Sequence, residues 1–157
     1  MLCIRSLPRG LDRTSFECGN SQLNEYFWHY VSQNIKRRLC ACFVMMDDET
    51  DEVVGFYTLT PFSLEGYRAS HIDTGNRQRI PVYLLGKLAV STKFQGQGYA
   101  KELLANAVMR CCQSEIPSRG LIVHPKTADL IPFYEHHGFE NLGDDILFLE
   151  FKPKRSI

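Results

Sequence analysis

The stretch "LLGKLAVSTKFQGQGYAKELL" (84–104) decides the fold of this chain. It reads as the end of an apolar strand, a polar turn, a glycine-rich loop and the opening of a helix. Gly96 and Gly98 reach positive φ at little cost, so consecutive amides can turn toward one point. That point lies in front of the positive end of a helix, a natural seat for phosphate. Gln95 adds an amide donor beside it, Ala100 is small where the helix starts, and Lys101 adds charge. A Gly-x-Gly loop alone also caps ordinary helices. The setting, between an apolar strand and an amphipathic helix, favours an anion site.

Outward from the loop, the helix over 99–113 buries Leu103, Leu104, Ala107, Val108 and Cys111. The preceding strand (82–90) is interrupted by Gly86, which predicts a bulge or the close approach of another backbone. Downstream, "GLIVHP" (120–125) is a short strand. "FYEHHGF" (133–139) places the Tyr134 phenol on a helix that ends at a left-handed Gly138, with Phe139 packing back. With Asp129 as cap, Pro132 falls at the third helical position. "ILFLEF" (146–151) is the last strand.

Upstream, "CACFVMMD" (40–47) and "VVGFYTLTPF" (53–62) form an antiparallel hairpin. Residues 21–37 carry a helical stripe of Leu23, Tyr26, Phe27, Tyr30, Val31 and Ile35, with Asn20 or Ser21 as cap and Lys36, Arg37 and Arg38 at the negative end. Residues 63–81 lack periodicity and read as a loop bearing Arg68, His71, Arg77 and Arg79. Helix, hairpin, strand, helix, strand, helix, strand gives an α+β fold, a twisted sheet with helices on both faces. A length of 157 residues fits one domain, 1–157.

Hydrophobic content of 44% and charge of 23% suit a globular protein. Neither a membrane span nor a signal peptide is visible, so a cytoplasmic location is expected, with no membrane partner. Eighteen basic residues balance eighteen acidic ones, which removes any overall pull toward nucleic acid. Local basic clusters remain at Arg5, Arg9 and Arg13, at Lys36–Arg38, and at Lys152, Lys154 and Arg155. The six cysteines include no C-x-x-C pair, so idle thiols are expected, with no disulfide and no metal.

The loop, the apolar strand before it and the "FYE-x-x-GF" segment after it together resemble the GNAT superfamily of acyl-CoA-dependent N-acyltransferases. The signature Gln/Arg-x-x-Gly-x-Gly/Ala is matched by Gln95, Gly98 and Ala100. The resemblance extends from about residue 16 to residue 150. It implies a mostly antiparallel sheet with one splayed strand pair, and acetyl-CoA as donor. The pyrophosphate would lie on the amides of Gly96, Gln97, Gly98, Tyr99, Ala100 and Lys101. The pantetheine arm would pair with the backbone of Leu88, Ala89 and Val90. An amine would then attack the acetyl carbonyl directly, without an acyl-enzyme.

In that scheme Tyr134 is the general acid. A phenol with a reference pKa of about 10 is protonated at neutral pH and can donate to a departing thiolate. No general base stands out. His136 and His137 adjoin a helix end, whereas His124 closes the strand 120–125 and is the better placed. An α-amine titrates at about 7.7–8.0 and needs less help than a lysine at about 10.4. The missing base therefore favours an α-amine acceptor.

The segments "FECGNSQLNEYF" (16–27), "KRR" (36–38), "VVGFYTLTP" (53–61) and "PVYLLGKLAV" (81–90) look like the GNAT toxins of bacterial type II toxin–antitoxin systems. That branch acetylates the α-amine of aminoacyl-tRNA and blocks translation. It is restrained by ribbon-helix-helix antitoxins and is often homodimeric. Gln97, Tyr99 and the zero net charge depart from its usual, more basic pattern. Lys36, Arg37, Arg38, Arg77 and Arg79, with Arg9, Arg13 and His124, are the residues expected around the acceptor. Two other readings stay open: acetylation of a small amine or a protein N-terminus, and a non-catalytic domain that binds acyl-CoA or a partner.

Overall fold

The computed structural model describes residues 1–152. Of the C-terminal basic cluster, Lys154 and Arg155 lie outside the described residues. Among the described residues seven strands form a mixed sheet in the order β1-β2-β3-β4-β5-β7-β6. They are β1 (Leu2–Ser6), β2 (Ala41–Asp47), β3 (Val53–Glu65), β4 (Arg79–Val90), β5 (Gly120–Val123), β6 (Glu140–Gly143) and β7 (Ile146–Glu150). Pairing is antiparallel for β1–β2, β2–β3, β5–β7 and β6–β7, and parallel for β4–β5. The helices are α1 (Ser21–Glu25), α2 (Val31–Lys36), α3 (Tyr99–Gln113) and α4 (Ile131–His136). The expected α+β architecture holds, with two strands added to the expected set, β1 and β6. The chain divides into two compact units, Met1–Thr60 with Gly86–Ala107, and Pro61–Leu85 with Val108 onward.

In the first unit, alternation along β2 builds a core on each face of the sheet. Cys42, Val44 and Met46 meet Phe16, Phe27, Val31 and Phe56 on one face. Phe27 stacks on Phe56 at 4.3 Å between centroids, and Phe16 lies 4.9 Å from Phe27. Such aromatic pairs add about 0.5–1.5 kcal/mol each beyond their burial. On the other face Phe43 stacks on Tyr57, whose hydroxyl donates to Asn106 Oδ1 of α3 at 2.6 Å. Helices α1–α2 and α3 thus cover opposite faces, as the amphipathic stripes require.

The helix expected over 21–37 is interrupted. Asn20 caps it as expected, accepting from the Leu23 N–H at 3.1 Å. Residues Tyr26–Tyr30 then form one π-helical turn between α1 and α2. Phe27 and Val31 of the expected stripe are buried, with Leu23, Tyr26 and Ile35 packed partly against the same core, Asn24 is buried beside them, and Tyr30 is 54% exposed, against expectation. A π turn displaces carbonyls from their usual partners. The Arg13 guanidinium supplies donors there, from Nε to Phe27 O at 2.6 Å and from Nη2 to Trp28 O at 3.2 Å.

In the second unit Leu64, Ile80, Val82, Ile122, Ile146 and Phe148 form the core. The expected loop over 63–81 is shorter, because β3 runs to Glu65, a 3-10 turn fills Gly66–Ala69, and Arg79 already begins β4. Helix α4 is preceded by a 3-10 turn over Ala128–Leu130, so Pro132 sits at its second position, and no side chain caps it, Asp129 included. Gly138 ends the helix at φ +94°. Asp144 and Asp145 both take positive φ and tighten the β6–β7 hairpin. Among the described residues no helix is long and apolar enough to cross a membrane. All six cysteines are free. Burial pushes the Cys42 and Cys111 thiols up, the latter to about 12, so neither is a ready nucleophile.

Candidate active site

At the end of β4 the buried Ser91 donates its N–H to Val54 O at 2.8 Å, and a 3-10 turn over Thr92–Phe94 follows. Gly96 and Gly98 then take φ of +77° and +87°, and α3 begins at Tyr99. The first helical bond runs from Glu102 N–H to Gly98 O at 3.2 Å. The amides up to Lys101 therefore precede any carbonyl one turn back, as at every helix start. Gly96, Gln97 and Gly98 are exposed, and a Cβ added at either glycine would meet nothing within 4 Å. Exposed backbone in an open loop at a helix N-terminus is suited to an anion, so the residues present suit the phosphate end of acetyl-CoA. Tyr99 and Ala100 are half-buried at the helix start and Lys101 is exposed on its first turn.

Gln95 plays a different part from the expected one. Its two amide hydrogens go to Val90 O at 2.9 Å and to Cys18 O at 3.0 Å, so the side chain ties the loop down and has no N–H left for phosphate. Gln97 folds back, its amide 3.5 Å from Lys93 O. The segment 17–24 meets the loop through hydrogen bonds that its sequence does not announce directly. Thr92 N–H donates to Glu17 O at 2.8 Å, and Asn24 and Glu17 hold that segment with side-chain hydrogen bonds. An asparagine inside an apolar helical stripe was the available signal.

Along β4 the ladder to β5 covers Tyr83–Leu85 opposite Leu121–Val123. Leu88, Ala89 and Val90 lie beyond it, with the Ala89 and Val90 side chains buried. Gly86 is indeed a close-approach position, but the neighbour is a side chain. A Cβ there would stand 2.9 Å from Thr58 Oγ1, which accepts from Lys87 N–H at 3.0 Å. The Lys87 ammonium lies over the Tyr26 ring at 5.2 Å.

In the second unit Tyr134 is 5% exposed on α4. Its ring is clamped edge-on by Phe133 at 5.1 Å and Phe139 at 5.4 Å, and Phe139 N–H donates to Tyr134 O at 3.1 Å. Burial pushes the phenol up to about 12, so the proton stays on at neutral pH. Below pH 10, the ordinary phenol value, folded and unfolded chains are both protonated and the burial carries no ionisation cost. Between 10 and about 12 the unfolded chain ionises first, and stability is lost. A difference titration of tyrosinate absorbance between wild type and Tyr134→Phe should show a missing component near 12; a missing component near 10 would contradict the burial argument.

His124 follows the end of β5, exposed, with its ring 6.0 Å from Phe62. Of the basic residues, Arg9, Arg13 and Lys36 converge in the first unit on a cavity of about 540 Å³, lined also by Leu7, Pro8 and Gln33. Arg13 is already engaged on the π turn, which leaves Arg9 and Lys36, with Arg37 and Arg38 exposed beside them. Arg77 and Arg79 are exposed in the second unit.

Known proteins resemble this chain along most of its length. The acetyltransferase (GNAT) domain matches residues 38–141. A tRNA-acetylating toxin of Mycobacterium tuberculosis is 36% identical over 156 residues, 92% of this chain and 90% of the relative. AtaT complexed with acetyl-methionyl-tRNAfMet shares the fold at a TM-score of 0.82 and 23% identity, covering 96% of this chain and 95% of that one. A mutant AtaT toxin bound to the C-terminus of the antitoxin AtaR and acetyl-CoA superposes at a TM-score of 0.78 and 24% identity, covering 95% of this chain and 92% of that one. The glycine loop at the start of α3, the strand before it and the length of the match together make the chain a member of the GNAT acetyltransferase family.

Proposed function

We propose that this chain is a toxin that transfers acetyl from acetyl-CoA to the α-amine of an aminoacyl-tRNA and so stops translation. The observation that carries the reading is the near full-length similarity to the mycobacterial tRNA-acetylating toxin. Acetyl-CoA brings a thioester already activated toward amines. The amides of residues 96–101 hold its pyrophosphate, and the backbone of Leu88, Ala89 and Val90 offers hydrogen bonds to its arm. The neutral amine attacks the acetyl carbonyl, a C–N bond forms, and the C–S bond breaks with its electron pair leaving on sulfur. The Tyr134 hydroxyl gives its proton to that sulfur, and the proton shed by the amine returns through solvent. His124 serves the acceptor side. The family match spans residues 38–141, and in this reading the two units work as one acetyltransferase domain.

Partners follow the same reading: a ribbon-helix-helix antitoxin, a second copy of the chain as homodimer, and a cytoplasmic setting where charged tRNA is found. The test is transfer of labelled acetyl from acetyl-CoA to a charged total-tRNA pool. Label on the aminoacyl group is expected. Label confined to small amines or protein N-termini would redirect the assignment, and binding of acetyl-CoA without any transfer would make the chain a binding module.

The cavity flanked by Arg9 and Lys36 supports a phosphate-contacting rim despite the zero net charge. Reversing Lys36 and Arg37 to Glu should weaken tRNA acetylation. It should also flatten the dependence of log K on log salt by about one for each phosphate that is no longer neutralised. Acetyl-CoA binding should be untouched. Arg38 is spared because it ends its helix in a left-handed conformation at φ +62°, where any change also moves the backbone. An unchanged salt slope would remove these residues from the tRNA interface.

A further inference from the structure

The segment "ECGNSQLN" (17–24) carries part of the family resemblance, and the acetyl-transfer scheme gives it no work. In the structure it lies under the phosphate loop, within the same compact unit. Asn24 is 3% exposed, a buried amide on an otherwise apolar helix face. Its Oδ1 accepts from Cys18 N–H at 2.9 Å, and its Nδ2 donates to Glu17 Oε2 at 2.8 Å. The other carboxylate oxygen of Glu17 accepts from Gly19 N–H at 2.6 Å. These three bonds fix the turn 17–19 and aim two of its carbonyls at the neighbouring loop. Glu17 O takes the Thr92 N–H at 2.8 Å, and Cys18 O takes one hydrogen of the Gln95 amide at 3.0 Å. The second hydrogen of that amide reaches Val90 O, at the end of the strand. Gly96 follows directly.

We infer that Asn24 and Glu17 form a clasp that sets the position of the loop 91–98, making them positioning residues for the pyrophosphate of acetyl-CoA. The inference rests on the acetyl-CoA reading above. Each link is a short hydrogen bond, and the chain of links runs from a buried side chain to the residue before the first loop glycine. The hydrogen bonds of Asn24 and Gly19 also hold the Glu17 carboxyl below the ordinary carboxylate range, so the clasp is charged at neutral pH. A loop held from below keeps its amides converged before the ligand arrives, and preorganisation of this kind raises affinity.

The test compares CoA with pantetheine, which lacks the pyrophosphate, as ligands of the full chain. Asn24→Ala should raise the Kd for CoA about ten-fold, the effect of losing a hydrogen bond to a charged group, and leave pantetheine binding unchanged. KM for acetyl-CoA should rise while kcat is retained. Asn24→Asp sets two carboxylates against each other and should do worse. The exchange Glu17→Gln with Asn24→Asp rebuilds the pair with the donor on the other side. It should restore CoA affinity, and it serves as the test if the alanine variant does not fold. Equal loss of CoA and pantetheine binding, or a folded Asn24→Ala with wild-type CoA affinity, overturns the clasp. No CoA binding by the wild type would instead overturn the acetyl-CoA reading on which it rests.

Discussion

Tyr134→Phe is expected to lower acetyl transfer by about 10²–10⁴-fold, the usual worth of a positioned acid, with acetyl-CoA affinity unchanged. The substitution is close to a pure deletion of one proton donor. The ring stays between Phe133 and Phe139, at 5.1 and 5.4 Å, so the packing is kept. Among the described residues the hydroxyl has no hydrogen-bond partner, so removing it strands no buried group. The proton it carries is held firmly at neutral pH by burial, with the phenol pushed up to about 12. The loss should therefore fall on kcat, not on KM, the pattern of an interaction used in the transition state alone. Steady-state kinetics on a defined aminoacyl-tRNA, with the thermal midpoint as a check on folding, decides it. A variant with wild-type kcat would remove Tyr134 from the chemistry. A variant that lost acetyl-CoA binding equally would make it a structural residue.

What could be read from the sequence was whatever depends on neighbours along the chain. The loop glycines, the stripe of α3, the Asn20 cap and the left-handed Gly138 are local events governed by φ preference and 3.6-residue periodicity. What stayed hidden depends on partners far away in sequence. Strand β1, "LCIRS", and strand β6, "ENLG", lie at the two edges of the sheet and carry no clean alternation, because an edge strand buries little of either face. The π turn at Tyr26–Tyr30 adds a residue to one turn, and Tyr30, at its end, is exposed although it was counted on the stripe.

The site divides in the same way. Backbone conformation follows from glycines in sequence, so the left-handed turns at Gly96 and Gly98 were legible. The duties of side chains were not. Gln95 has the right chemistry for a ligand, yet both its hydrogens are spent on Cys18 and Val90. Arg13 has the right charge for a phosphate, yet it is spent on the carbonyls of Phe27 and Trp28. In each case a group that sequence presents as free is satisfied by backbone that only the fold brings near.

The second large effect is expected at Gly98. Its φ of +87° is costly for any residue with a Cβ, and the space around it is open, with nothing within 4 Å of an added Cβ. Conformation, not collision, is therefore what a substitution disturbs. Gly98→Val should be the most damaging, since a β-branched residue at positive φ is a genuine outlier. Such strain costs on the order of 1–3 kcal/mol, which corresponds to about 5- to 150-fold in Kd if the loop relaxes to avoid it. Gly98→Ala should fall between Val and Gly98→Asn, because asparagine tolerates the left-handed region better. Calorimetric titration with CoA across the three variants gives the order directly. The order Asn, then Ala, then Val in falling affinity ties the pyrophosphate to amides that converge only when this residue is left-handed. Asparagine and alanine ranked by side-chain size alone would place the ligand against the Cβ position instead, and equal affinity in all three would move the pyrophosphate away from this loop.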